Sequence, residues 1–189
     1  MLRRTLGAVL GLLLLGGGTA TAATAATGGH EAQTAPLAAV QAPAAGEWQQ
    51  AMERTNTYRA LHQADPLTLD AAISADAQAW AAHLGRSGTF GNHPNSPYGQ
   101  NICLTSGSFA AAAEKCVEAW YSEVSHYDFR RPGFSQATGH FTQLVWAASR
   151  RVGFGAATDV HGRTVVVAFY DPRGNDYRRF AENVRPPVN

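Results

Sequence analysis

The side chains best suited to chemistry in this chain are His93, Glu123 and His140, with Gln100 seven residues beyond the first histidine. Imidazole nitrogens suit a borderline divalent ion such as zinc, and a carboxylate beside a metal-bound water is the usual general base of metal-assisted hydrolysis. With only two nitrogen ligands, water or a ligand completes the shell, so any metal is weakly held. Gln100 cannot ionise. It can orient a water or a ligand but cannot take a proton as a base. The nucleophile motifs Gly-x-Ser-x-Gly and His-Glu-x-x-His do not occur.

These residues need elements to carry them. His140 opens the run Gly139-His140-Phe141-Thr142-Gln143-Leu144-Val145-Trp146. Read as a helix, it places Phe141, Leu144, Val145 and Ala148 on one apolar side, with His140, Gln143 and Ala147 on the next. Glu123 lies at the margin of an apolar stripe formed by Ala113, Cys116, Val117, Trp120 and Val124, on a helix expected from Phe109 to about Val124 behind a Ser108 cap. An acid at the edge of a buried face needs a partner, either an arginine or a group in a cleft. His93 falls in a loop rich in Gly, Asn, Pro and Ser that runs into Tyr98-Gly99-Gln100-Asn101-Ile102.

Upstream, Trp48, Met52, Thr55, Tyr58 and Arg59 have helical spacing and Asp65-Pro66 ends the run. Asp70 is the expected N-cap of a second helix, with Ile73, Ala77, Trp80, Ala81 and Leu84 as its stripe and Gly85 as its stop. His62, at a helix end, is expected to be structural. Downstream, Arg151–Ala156 and Thr164–Phe169 read as a hairpin around Asp159-Val160-His161-Gly162. Helices first and a hairpin late indicate an α+β fold.

Residues 1–22 read as a secretory signal peptide: Arg3 and Arg4, a short apolar run, then Ala20-Thr21-Ala22 for cleavage. Residues 23–46 hold ten alanines and almost no charge, and read as a flexible linker before a domain spanning 47–189. Removing residues 1–22 takes two arginines and no acid, which leaves 13 basic against 14 acidic residues, a net charge of −1. That balance gives no electrostatic case for nucleic acid or an anionic membrane surface. No later segment is long and apolar enough to cross a membrane. Cys103 and Cys116 are the only cysteines; an exported chain favours a disulfide between them over two buried thiols.

Three aromatics, Tyr127, Phe129 and Phe134, share a Pro/Gly loop with Arg130 and Arg131. Core packing accounts for some of them. The functional reading is an apolar docking surface with the arginines meeting a head group.

The run 139–146 resembles the Gly-His-Phe/Tyr-Thr-Gln-hydrophobic-hydrophobic-Trp signature of the CAP superfamily: cysteine-rich secretory proteins, antigen 5 and pathogenesis-related-1 proteins. The resemblance extends to Asn56-Thr57-Tyr58-Arg59 with Pro66-Leu67, to Ala119-Trp120-Tyr121-Ser122-Glu123, to Tyr170-Asp171-Pro172-Arg173-Gly174-Asn175 and to Phe180–Val184, so it spans about residues 48–184. It implies a three-layer α-β-α sandwich and a central cleft formed by His93, Gln100, Glu123 and His140, with His93 and His140 able to share one divalent metal. Gln100 stands where the family carries Glu, and Phe154 and Ala168 where many members carry Cys. The resemblance also implies a secreted binder of an apolar partner, a sterol or fatty acid, taken through the Tyr127–Phe134 loop independently of the cleft. A metal-assisted hydrolase with Glu123 as base is the alternative, as is a secreted interaction protein.

Overall fold

A computed structural model describes residues 45–188. The expected signal peptide and the expected linker, apart from its last two residues, lie outside the described residues. A 3-10 turn, Ala45–Trp48, leads into α1 (Gln49–Leu61), followed by β1 (Thr68–Leu69), α2 (Ala71–Ser87), β2 (Gly99–Thr105) and α3 (Phe109–Ser122). A second 3-10 turn, Glu123–His126, precedes α4 (Gly139–Leu144), β3 (Arg151–Thr158), β4 (Thr164–Asp171) and α5 (Phe180–Asn183).

The strands form one mixed sheet in the order β1-β3-β4-β2, with β1 parallel to β3 and the other pairs antiparallel. Alternation along β4 sorts its side chains between two cores. Val166, Ala168 and Tyr170 join α1, α3 and α4 on one face, while Val165, Val167 and Phe169 join Ile73, Ala77, Ala81 and Leu84 of α2 on the other. The result is the expected α-β-α sandwich, with both sheet faces covered.

On β3, Gly153 and Gly155 face α2. A Cβ on either would run into the α2 backbone at Ile73–Ser74 or Ala77–Gln78. The absence of those side chains lets α2 lie directly on the strand. Asp70 caps α2 as expected, its carboxylate accepting from Ala72 and Ile73 N–H at 2.9 and 3.1 Å. The expected stop at Gly85 is displaced: α2 continues to Ser87 and ends on Gly88 at φ 66°. Gly85 is buried against Ala157 and Thr158 and serves packing instead. Ser108 starts α3 without a side-chain capping bond.

Cys103 on β2 and Cys116 on α3 are disulfide-bonded, tying the edge strand to the helix layer. Phe154 and Ala168, at the positions where the resemblance places cysteines in many members, are register partners on β3 and β4. Phe154 fills that space by stacking on Trp48, with ring centroids 5.7 Å apart.

Candidate functional site

The signature run folds as a single short helix. The expected extension through Ala148 is not made: α4 ends at Leu144, and Val145 is its C-cap. Arg59 explains why the chain leaves the helix there. Its buried guanidinium donates to the carbonyls of Leu144, Trp146 and Ser149 at 2.9–3.0 Å and so fixes the segment after α4 in a non-helical path. Phe141, Leu144 and Val145 are fully buried, as their spacing requires. Gln143, on the side next to these, is buried as well. It is 1% exposed, and its Oε1 accepts from Gly174 N–H at 2.9 Å. The carboxamide thus holds the 172–175 turn against α4.

Glu123 closes the N-terminus of α4 from another element. Thr138, the N-cap, makes no side-chain capping bond. The Glu123 carboxylate accepts from His140 N–H at 2.9 Å, from Phe141 N–H at 3.0 Å and from His140 Nδ1 at 2.7 Å. The partner that this acid needed is therefore His140 and two orphan helix amides, rather than an arginine. The bond from Nδ1 leaves His140 Nε2 as the free nitrogen, and the imidazole is 40% exposed over the Trp120 ring. A carboxylate holding Nδ1 and an available Nε2 is the usual arrangement behind a metal-bound histidine.

His93 is held differently. Gln100 clasps its backbone: Oε1 accepts from His93 N–H at 2.8 Å and Nε2 donates to His93 O at 3.0 Å. His93 Nδ1 accepts from Asn95 N–H at 3.2 Å, which in the neutral ring places the proton on Nε2. His140 thus fits a divalent ion as it stands, whereas His93 would first have to give up its Asn95 bond. No cluster of three or more His, Cys, Asp or Glu suited to a metal occurs among the described residues.

The two couples meet through β2. Gln100 holds the His93 loop, while the next residue, Asn101, donates from Nδ2 to His140 O at 3.0 Å. Consecutive strand residues point to opposite faces, so this edge strand anchors one histidine on each side. On the α2 side, His93, Trp80, His83, Asp76, Tyr98 and Phe169 line a cleft of about 430 Å³. Partial burial, and then the hydrogen bond to Asp76, push the Tyr98 hydroxyl up from its ordinary pKa.

The aromatic loop divides. Tyr127 is buried and Phe129 half-buried; both pack on Phe141, with ring centroids 5.5 and 6.2 Å away. They belong to the core and do not share an outward surface with Phe134. Phe134 remains exposed and meets Tyr177 edge to face at 5.7 Å. Its ring comes within 3.0 Å of where a Cβ on Gly139 would stand, next to His140. The loop is therefore not independent of the His140 site. Tyr177, 79% exposed, was missed by motif reading; its signal is a lone aromatic in the polar run Asn175-Asp176-Tyr177-Arg178-Arg179. Asn175 fastens this segment to the helix, donating to Gly139 O and accepting from Thr142 Oγ1 at 2.9 and 2.7 Å.

His62 is structural, as expected. It is fully buried, bonded through Nδ1 to Arg185 O at 2.6 Å and through Nε2 to Tyr121 Oη at 3.2 Å, and burial lowers its pKa.

An α-β-α sandwich that carries a Glu-capped histidine helix is the arrangement that the CAP resemblance implies, and the Gln100 clasp is this chain's own variation on it. The cysteine-rich secretory protein family model (CAP) matches residues 52–170, and the chain belongs to that family. It is 36% identical over 135 residues to the human Golgi-associated plant pathogenesis-related protein 1, covering 70% of this chain and 88% of that protein. It is 37% identical over 133 residues to protein PRY2 of Saccharomyces cerevisiae, covering 69% of this chain but only 39% of that longer protein. The crystal structure of NaASP2 with Zn2+ shares the fold at TM-score 0.62 and 21% identity, covering 77% of this chain and 88% of that one.

Proposed function

We propose that this is an exported, non-catalytic CAP-domain protein that binds a sterol, fatty acid or other apolar ligand. The observation that carries this reading is the Phe134–Tyr177 pair, two aromatic rings left in solvent beside the N-terminus of α4. Exposed aromatic pairs reward contact with an acyl chain or ring system at low rotamer cost. Arg130 and Arg131 stand within four residues of Phe134 and would meet a polar head group. Export is supported by the leader-like residues 1–22 and by the Cys103–Cys116 bond, which suits an oxidising compartment.

Catalysis is the weaker reading because of what Glu123 already does. As the base of a hydrolase it would need a free acceptor. Here three of the roughly four acceptor sites on its two oxygens are already taken by hydrogen bonds that hold α4 in place. Divalent metal binding is a secondary property in this reading, with His140 as the prepared ligand and His93 held on the other side of β2. The Zn2+ of the NaASP2 structure is in keeping with it.

The test is binding of a labelled sterol and a labelled fatty acid to the secreted protein. Phe134→Ala combined with Tyr177→Ala is expected to weaken binding about tenfold, the loss of two ring contacts. Phe129 is left alone because its ring packs on the core. Normal binding by the double variant overturns the reading, as does a hydrolytic activity abolished by Glu123→Gln.

A further inference from the structure

The near-neutral charge of the whole chain hides a local concentration of positive charge. Two segments converge on the N-terminus of α4: residues 128–136, through Phe134 on Gly139, and residues 172–179, through Asn175 on Gly139. Phe134–Tyr177 joins them. Together they hold five arginines, Arg130, Arg131, Arg173, Arg178 and Arg179, against two aspartates, Asp128 and Asp176. All five arginines are exposed. Arg131 bonds Asp128 at 3.0 Å and Arg179 reaches Glu182 at 3.4 Å. Arg130, Arg173 and Arg178 make no ion pair among the described residues, although Arg130, after Arg131, helps to lower the pKa of nearby Asp128. Two exposed rings on segments that also carry exposed arginines form a mixed surface rather than a simple basic patch.

We infer that this face docks the protein on an anionic lipid bilayer, with Tyr177 and Phe134 entering the interface and Arg130, Arg173 and Arg178 meeting lipid phosphates. This rests on the apolar-ligand reading in one respect: the bilayer is the source from which such a ligand would be taken. The charge complementarity and the rings favour a bilayer over other polyanions. A polysaccharide or nucleic acid would use the arginines but has no acyl region to receive an exposed ring pair. Amphipathic aromatics sit at the head-group level of membranes, and each cation near an anionic surface strengthens attachment about fivefold at moderate ionic strength. The patch is too small and too shallow to span the membrane, so attachment is peripheral and salt-sensitive.

The experiment is co-sedimentation of the intact protein, without added fatty acid, with equimolar phosphatidylcholine–phosphatidylglycerol vesicles and with phosphatidylcholine vesicles. Binding is expected to the first and not the second, and to fall steeply as salt rises. Arg130→Gln with Arg178→Gln is expected to cost about 25-fold, the product of two fivefold steps. Tyr177→Ser, at a position exposed enough to leave folding intact, is expected to weaken vesicle binding severalfold. Absence of binding to the anionic vesicles overturns the inference. So does binding that ignores these substitutions, and so does binding to a soluble sulfated polysaccharide that matches the vesicles and is insensitive to Tyr177→Ser. Fatty acid binding in solution, measured separately, distinguishes the two ideas. If it persists while vesicles are ignored, only the docking surface falls. If vesicles bind while no soluble fatty acid does, the ligand reading falls and the surface stands.

Discussion

Glu123→Ala separates a structural role from a catalytic one more sharply than any other change. In the folded protein this carboxylate is 20% exposed and accepts the N–H groups of His140 and Phe141 together with His140 Nδ1. Thr138 offers α4 no capping bond of its own, so nothing else satisfies those two amides. Hydrogen bonds to a charged group contribute about 1.5–3 kcal/mol each, but water can reach the half-exposed His140 end once the carboxylate is gone. The net loss is therefore about 3 kcal/mol rather than the full sum. For a domain of this size that lowers the melting temperature by about 10 °C. Glu123→Gln retains one acceptor and turns an amide N–H₂ toward a donor, so it should fall roughly midway. Thermal melting by circular dichroism of the secreted protein and both variants measures this directly. If Glu123→Ala melts within about 1 °C of the parent, the carboxylate is not holding α4 and the case against a free base collapses.

Gln100→Glu, which installs the residue that the family resemblance implies at this position, should destabilise this chain by about 1–2 kcal/mol. A carboxylate still accepts from His93 N–H but faces His93 O where Nε2 now donates; an unchanged urea midpoint counts against the clasp. His62 predicts a pH dependence. Burial lowers its folded pKa, so the unfolded chain binds the proton more readily; its contribution to stability is complete above an unfolded pKa of about 6.5 and is lost as pH falls through the folded value. Urea midpoints measured from about pH 7 down to about pH 5 should decline in the parent and decline less in His62→Gln; parallel curves would refute this.

Much of the fold was legible because it depends on local pattern. The hairpin of Arg151–Ala156 and Thr164–Phe169, the Asp70 cap and the spacing of Ile73 to Leu84 are properties of short stretches, and the structure keeps each of them. The signature runs carried the family, and the lone cysteine pair carried the disulfide. What the sequence by itself could not determine is where a side chain goes when its partner comes from a distant element. Gln143 reads only as a polar residue on the side next to the apolar one until Gly174 N–H, 31 residues away, donates to its carbonyl. Gly85 reads as a helix stop until Thr158 is pressed against it. Glu123 needed a partner on any reading, but only the approach of α4 identifies that partner as two backbone amides and an imidazole. The aromatic loop shows the same limit. Tyr127, Phe129 and Phe134 are equivalent in composition, and packing against Phe141 removes two of them from the surface and leaves the third to Tyr177. Residue type and spacing set which groups must be buried or paired; the tertiary structure decides with what, because burial and hydrogen bonding between distant segments are settled only when the layers close.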